Sequence, residues 1–308
     1  MIGKYRIIIL YCKFASTNST ILRMQYHFIN NRIVHQSEAM VSAFDLSVMR
    51  GYGVFDFFKV LDGVPVFMYD HLQRFIHSAK KLNLTVPYPL NDLANIIYQL
   101  IDKNGIENGV FKIILTGGIS SNGFNLDGNP CLLILPGDLS FTVFDSFDGI
   151  KTLKIKTLDY VRETPGIKSI NYLVAMMNWH LLKDGGYDDF LYVKNNMVSE
   201  TSRANIFIIK NDVLITPKEN ILEGITRKHI LEIGSKYLKV QERTISLQEV
   251  YEADEAFLTS TTKQAMPVIQ IDEHLIKKGQ PGEFTHLIFN DFHAVEMKYI
   301  RENKRVLV

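Results

Sequence analysis

The stretch VFDFFKVLDGVPVFMYD, Val54 to Asp70, sets two β-rich apolar runs around an Asp62-Gly63 turn. Immediately after it, HLQRFIHSAKKLNL has the apolar spacing of a helix. A change from strand period to helix period within one short stretch commits this part of the chain to a mixed α+β unit. YHFINNRIV, from Tyr26, adds strands around an Asn-Asn turn. LNDLANIIYQLIDKNGI reads as a second helix, with Asn91 or Asp92 as its N-cap and Gly105 near its C-cap. Two more strands follow, GVFKIILTGG and PCLLILPG, joined by the Gly- and Asn-rich GGISSNGFNLDGN.

The charged, Gly-containing passage PGDLSFTVFDSFDGI separates this unit from a second one. The expected division is a small α/β domain over residues 24–136, an interdomain loop over 137–149 and a larger domain over 150–308. The second unit opens with the strand KTLKIKTLDYV. It continues with a helix after Lys168, the hairpin region FLYVKNNMVSETSRANIFIIKNDVLITP, the helix GITRKHILEIGSKYL and the strand EAFLTSTTKQAMPVIQI. From Phe284 onward the sequence reads as an amphipathic helix. The fold class expected is therefore α/β (α+β), in two domains.

Composition agrees with this and excludes several functions. With 308 residues, 46% of them apolar and 22% charged, the chain can fill two cores. Lys and Arg number 34 against 33 Asp and Glu, so no field draws nucleic acid or an anionic membrane. Cys12 and Cys131 lie far apart and neither belongs to a CxxC, which points to a reducing cytoplasm. The nine histidines show no HExxH or paired spacing, so no metal site is expected. The opening MIGKYRIIILYCKF imitates a signal peptide, but its apolar run is too short to span a bilayer and no small-residue cleavage site follows. Residues 1–23 are expected to be a disordered, non-essential extension, with Met24 opening the domain.

Several segments then ask for the same kind of ligand. In ILEGITRKHIL, Gly224 precedes a helix whose first residues, Ile225 and Thr226, would present unpaired backbone N–H groups to an anion. FLTSTTKQAMP runs a strand into the hydroxyl residues Thr259 to Thr262. Arg74, in DHLQRF, has a planar fork suited to phosphate. In VSETSRANIFII, Glu200 sits between strongly apolar runs, where it is either a rim charge or a buried carboxylate with a cationic partner such as a protonated pyridine nitrogen. Lys168, in TPGIKSINY, is then an amine placed to form a Schiff base with an aldehyde whose ring and phosphate the other groups hold.

The ordered set RGYGVF, HLQRF, GIKSINYL, ETSRANIF, ILEGITR and EAFLTSTTKQAMPV, over most of Tyr26 to Gln270, resembles the fold-type IV pyridoxal-phosphate enzymes. These are the class IV aminotransferases: branched-chain and D-amino-acid aminotransferases, with the related aminodeoxychorismate lyases. The resemblance implies that Lys168 is the Schiff-base lysine and proton carrier, and that Glu200 keeps the pyridine nitrogen of pyridoxal 5'-phosphate protonated. It implies that Arg74, the Ile225 and Thr226 amides and Thr261 hold the phosphate, and that Tyr172 donates to the 3′ oxygen. The sequence departs from the family where Glu200-Thr201-Ser202-Arg203-Ala204-Asn205 replaces Glu-Gly-x-x-Ser/Glu-Asn. Arg203 is thus an added cation that could pair with Glu200, reach the 3′ oxygen or face solvent.

A substrate carboxylate must be gripped so that the Cα–H bond stays perpendicular to the ring. Arg50, before GYGVF, and Lys112, in GVFKIILTGG, are the candidate cations, each in a segment apolar enough to be buried, with a water-facing strand position as the alternative for Lys112, and Phe55 completes the substrate set. GGISSNGFN has neither the arginine nor the histidine of familiar D-amino-acid enzymes, and Arg50 stands where the branched-chain group usually has tyrosine. The expected activity is transfer of an amino group between an amino acid, D favoured, and a 2-oxo acid. An L-branched-chain enzyme, a lyase and a catalytically silent binding protein are the alternatives. The family resemblance further implies a homodimer, with SSNGFN as a cross-subunit contributor.

Overall fold

The computed structural model describes residues 24–305. The expected extension over 1–23 lies outside the described residues, as do the last three positions. A first sheet has six strands: β1 (Tyr26–Ile29), β2 (Arg32–His35), β3 (Gly53–Leu61), β4 (Val64–Pro65), β5 (Gly109–Thr116) and β6 (Leu132–Gly137). Their order is β2-β1-β6-β5-β3-β4. The hairpin turns follow from residue type: Asn30, and the Asp62-Gly63 pair, sit at positive φ, which Asn, Asp and Gly tolerate best.

Three helices accompany this sheet: α1 (Leu46–Arg50), α2 (Met68–Lys81) and α3 (Leu90–Asn104). The buried stripe of α2, including Leu72 and Phe75, packs with Leu93, Ile97 and Leu100 of α3 against Phe58 and Phe111. Burial of each such side chain contributes about 1.5–3 kcal/mol. The N-cap of α3 is Pro89, not Asn91 or Asp92, and it makes no side-chain cap bond. Its ring fixes φ near the helical value, so the helix starts earlier than the polar residues indicated. Gly105 closes that helix in the left-handed conformation, as its position indicated.

Residues beyond the linker form a ten-stranded sheet: β7 (Leu153–Asp159), β8 (Asp189–Lys194), β9 (Met197–Thr201), β10 (Asn205–Lys210), β11 (Val213–Thr216), β12 (Lys239–Glu242), β13 (Ile245–Ser246), β14 (Glu255–Ser260), β15 (Gln264–Ile271) and β16 (His274–Leu275). Its path is β12-β11-β10-β14-β15-β7-β8-β9-β13, with β16 on β15. The helices of this part are α4 (Leu173–Met177), α5 (Trp179–Gly185), α6 (Ile225–Gly234), α7 (Leu247–Tyr251) and α8 (Glu283–Asn303). Ile230 and Ile233 of α6 and Ile288, Phe289 and Phe292 of α8 cover the stacked rings of Phe207 and Phe257.

Two elements differ from the sequence reading. EAFLTSTTKQAMPVIQI is not one strand but the hairpin β14–β15, with its turn at Thr261–Lys263. The turn lacks Gly, Pro, Asn and Asp, and its threonines have strand propensity, so the break was not visible. LVAMMNWHLL is two short helices, divided at Asn178, whose side chain donates to the Val174 carbonyl at 2.8 Å. A mid-helix Asn competes for backbone groups in this way.

The segment 167–170 joins β3 edge to edge. Phe55 N–H donates to the Lys168 carbonyl at 2.8 Å, and Ile170 N–H donates to the Gly53 carbonyl at 3.1 Å. This approach needs a residue without a side chain at Gly53. A Cβ there would lie 2.8 Å from the Leu115 carbonyl oxygen and 3.2 Å from Ile170 Cδ1. Gly53→Ala should therefore cost about 1–3 kcal/mol of stability. Urea unfolding measures this, and an unchanged midpoint would contradict the packing argument.

Candidate active site

A cavity of about 600 Å³ lies where the two sheets meet. It is lined from the first sheet side by Phe55, Phe57, Arg74 and Lys112, and from the linker by Ser140 and Phe141. From the second part come Arg162, Lys168, Tyr172, Glu200, Ser202, Arg203, Ile225, Thr226, Thr259, Thr261, Thr262 and Lys263, among others. Strand alternation explains the β3 contribution: Phe55 and Phe57 face the cavity, while Asp56 and Phe58 point the other way into the core.

Lys168 is positioned by its own main chain. Its carbonyl accepts from Phe55, and its N–H donates to Ser78 Oγ of α2 at 3.2 Å. Its Nζ sits 4.7 Å from the centroid of the Phe55 ring. Burial, and then the charges of Arg74 and Arg162, lower the amine from its ordinary value to about 8, against the opposing pull of Asp56 and Glu200. A lysine so shifted carries an appreciable fraction of free amine near neutral pH.

Arg74 is held by a buried carboxylate. Asp56 accepts from Arg74 Nε at 2.9 Å, from Arg74 Nη2 at 2.8 Å and from His71 Nδ1 at 2.7 Å. Burial alone would raise the Asp56 carboxyl, but Arg74 and His71 outweigh it and hold the group far below the usual carboxylate range. Burial lowers His71, partly opposed by Asp56, so the imidazole is neutral, with Nδ1–H as the donor. Arg74 Nη1 also donates to the Glu223 carbonyl at 3.2 Å, which brings the guanidinium to the start of α6. There the N-cap is Gly224, without any side-chain cap bond. A Cβ on Gly224 would lie 2.2 Å from Asn205 Oδ1, so any side chain at this helix entrance has to displace the buried Asn205 amide.

Glu200 is buried and partnered. It accepts from Arg162 Nη1 at 3.3 Å and from the Leu222 N–H at 3.0 Å. Burial raises its pKa, against the lowering pull of Arg162. Arg203 is therefore not the partner of Glu200; it is exposed at the cavity edge. Tyr172 packs its ring 5.9 Å from that of Phe55, and burial raises its hydroxyl. Thr261 Oγ1 approaches the Phe57 carbonyl at 3.4 Å.

Arg50 does not line this cavity. It is exposed at the end of α1, its Nη1 donating to the neighbouring Met49 carbonyl. Gly51 in the left-handed conformation turns the chain between Arg50 and the apolar strand, so the burial inferred from the neighbouring run does not extend to it. Lys112 does line the cavity, on β5 opposite Phe57, although its side chain is solvent-accessible. Lys263, absent from the sequence reading, lines it too: its Nζ lies 3.4 Å from the fully buried Asp189, and its side chain is 12% exposed. Arg162, Asp56 and Asp189 also escaped the sequence reading, because each acts through a partner distant in the chain.

The donor set fits pyridoxal phosphate. An uncapped helix entrance with a guanidinium beside it, and threonine hydroxyls, line the cavity as donors for a phosphate. A buried carboxylate and an amine belong to the same wall. Thr259 Oγ1 is buried, lines the cavity and has no hydrogen-bond partner among the described residues. Residues 53–271 match the family described as amino-transferase class IV.

The chain belongs to the class IV aminotransferases. These are pyridoxal-phosphate-dependent transaminases, and the fold is fold-type IV. The chain is 29% identical to a putative branched-chain-amino-acid aminotransferase of Methanocaldococcus jannaschii, over 88% of this chain and 96% of that one. It is 26% identical to a D-alanine aminotransferase of Staphylococcus haemolyticus, over 89% and 97%. Among solved structures it is similar to the branched-chain aminotransferase of Thermoproteus uzoniensis with norvaline. That similarity has a TM-score of 0.80 and 26% identity, and it covers 90% of this chain and 97% of the other.

Asp56→Asn leaves Arg74 with a neutral partner and should weaken pyridoxal phosphate about tenfold, while destabilising the fold by about 3–5 kcal/mol. Absorbance titration of the apoprotein with cofactor reads the first effect. An unaltered affinity would show that Arg74 needs no support.

Proposed function

We propose that this transaminase acts on small or acidic amino acids, D enantiomers favoured, in two half-reactions with a 2-oxo acid. The observation that carries this reading is the charge of the cavity wall. Once Arg74 is assigned to phosphate, Lys168 to the reacting carbonyl and Arg162 to Glu200, three cations remain: Lys112, Arg203 and Lys263, the last backed by Asp189. One carboxylate does not use three cations, and a branched aliphatic side chain wants an apolar wall. The relative named as a D-alanine aminotransferase supports the enantiomer, while the branched-chain names support the second reading, an L-branched-chain enzyme.

Pyridoxal phosphate, when bound, supplies the carbonyl that takes up the amino group and a ring that delocalises the charge left when a Cα proton departs. Lys168 Nζ takes that proton and holds it for return. Glu200, kept in place by Arg162 and the Leu222 N–H, would hold the ring nitrogen and favour its protonated form. Tyr172 would serve as the donor to the 3′ oxygen. Arg74, the Ile225 and Thr226 amides and Thr261 fix the phosphate, and Phe55 packs between the reacting amine and Lys112. Lys263 and Arg203 grip a substrate carboxylate from the second sheet, and Lys112 faces them from the first.

The assembly we propose is a homodimer, in the cytoplasm. Exposed apolar side chains gather on two joined segments: Phe44 is 70% exposed on one and Phe124 77% exposed on the other. Leu46 N–H donates to the Gly118 carbonyl, so these segments form one face, and Arg50 belongs to it. A face of this kind in water favours a partner. Arg50 then reaches substrate only across the dimer.

A panel of half-reactions tests the substrate reading: D-alanine, D-glutamate and L-leucine are mixed separately with the holoenzyme, and conversion of the cofactor band is followed. Fast conversion by L-leucine and none by either D-amino acid would overturn it. Lys263→Met should weaken D-glutamate more than D-alanine, about tenfold, with the cofactor spectrum unchanged. The rate at which the apoprotein captures pyridoxal phosphate should rise with pH as Lys168 loses its proton, with a midpoint near 8. A rate flat between about pH 6 and about pH 9 would contradict a depressed amine.

A further inference from the structure

Phe55 and Phe57 are followed, on the same face of β3, by Lys59, the next residue of that alternation. Lys59 is 1% exposed, an unusual position for a lysine. Its Nζ lies 2.7 Å from Glu296 Oε1 of α8, at an angle poor for a hydrogen bond, so charge holds the pair. The other oxygen of Glu296 accepts from Gln264 Nε2 at 3.1 Å. Gln264 is 2% exposed and opens β15 directly after the Thr261–Lys263 turn.

The rest of the Gln264 amide reads the linker. Nε2 donates to the Phe144 carbonyl at 3.1 Å, and Oε1 accepts from the Phe144 N–H at 3.2 Å. The side chain thus pairs with one residue of the linker as a neighbouring strand would. Both amide hydrogens and the oxygen are used. The flipped amide would set its oxygen against the Glu296 carboxylate and its NH₂ against the Phe144 N–H, so the network fixes one orientation. A glutamate of the same length would face the Glu296 carboxylate and the Phe144 carbonyl with no hydrogen to donate.

Gln264 also holds φ at +54°, a conformation uncommon for residues with a side chain. Such a backbone persists where its surroundings over-determine it. Three residues before Phe144, Phe141 lies on the cavity wall, its ring 6.4 Å from that of Phe57, and Ser140 lines the cavity beside it. Nothing else among the described hydrogen bonds ties residues 140–146 to the second sheet.

We propose that Gln264 is a positioning residue: through the Phe144 peptide it fixes the linker so that Ser140 and Phe141 form a wall of the substrate cavity, in register with the Thr261–Lys263 turn. The Lys59–Glu296 pair orients its amide, and the turn and the wall move together. Gln264 need not touch substrate, so its effect depends on what the wall must exclude. The inference stands whichever amino acid the enzyme turns over.

Two variants of the holoenzyme test it. Gln264→Gly accepts the positive φ and removes the whole side chain; Gln264→Leu keeps the volume and removes the hydrogen bonds alone. Hydrogen exchange over residues 140–146 should quicken about tenfold or more in both variants, as two hydrogen bonds are lost. The cofactor band should be unchanged. KM should rise about fivefold or more for the better amino acid of the panel, with kcat within about twofold, and selectivity between large and small side chains should narrow. Exchange over 140–146 within about twofold of the parent, or loss of the cofactor band in both variants, overturns the assignment. A substrate panel reordered in the parent enzyme would instead correct the substrate reading and leave this one intact.

Discussion

The cavity depends on one main-chain contact. Residues 167–170 lie against the start of β3, and the Phe55 N–H and Ser78 Oγ fix the peptide of Lys168 from two elements of the first sheet unit. A long flexible side chain places its amine reproducibly only if its backbone is fixed first. Because β3 also carries Phe55, Phe57 and Asp56, the same strand sets the ring beside the amine and the carboxylate behind Arg74. The close approach at Gly53 is therefore a condition for the whole site.

Charge is organised in the same manner, from behind the wall. Asp56 stands behind Arg74, Glu200 against Arg162, and Asp189 under Lys263. Asp56 and Asp189 do not line the cavity, so there it sees the cation and the core compensates it, whereas Glu200 shares the wall with Arg162. Lys168 has no such carboxylate within ion-pair distance among the described residues, and Arg74 and Arg162 add to the burial that lowers it. One arrangement thus makes an anion-binding cavity and an amine ready to react. The cost is that removing any backing carboxylate strands a buried cation.

Much of this was legible because it is local in sequence. Lys168 with Tyr172, Gly224 with Ile225 and Thr226, and the Thr259–Thr262 run are short segments whose chemistry shows without a fold, and they do line one cavity. The backing residues were not legible. Asp56 looks like a polar interruption in a strand until α2 brings His71 and Arg74 to it. Asp189 and Lys263 are 74 positions apart and meet only through the β14–β15 turn and the first residue of β8. Arg50 was misjudged for the converse reason: its neighbours are apolar, but a single left-handed glycine separates it from the strand they form.

The relatives carry names of both D-alanine and branched-chain aminotransferases, and cofactor machinery by itself does not select an enantiomer. In the proposed function Lys168, Glu200 and Arg74 act on the proton, the ring and the phosphate. With the Cα–H bond aimed at Lys168, exchanging enantiomers exchanges the places of carboxylate and side chain. Selection therefore lies in which wall holds the stronger cation. Here Lys112 stands on the first sheet and Arg203 with Lys263 on the second, so both places offer charge. A monocarboxylic substrate must choose between them, and the better-enclosed Lys263, less screened by water, should hold the carboxylate more firmly than the exposed Lys112. A dicarboxylic substrate satisfies both walls in either hand, and for it the choice falls to the fit of the chain between them, where the linker wall with Phe141 decides how much room remains.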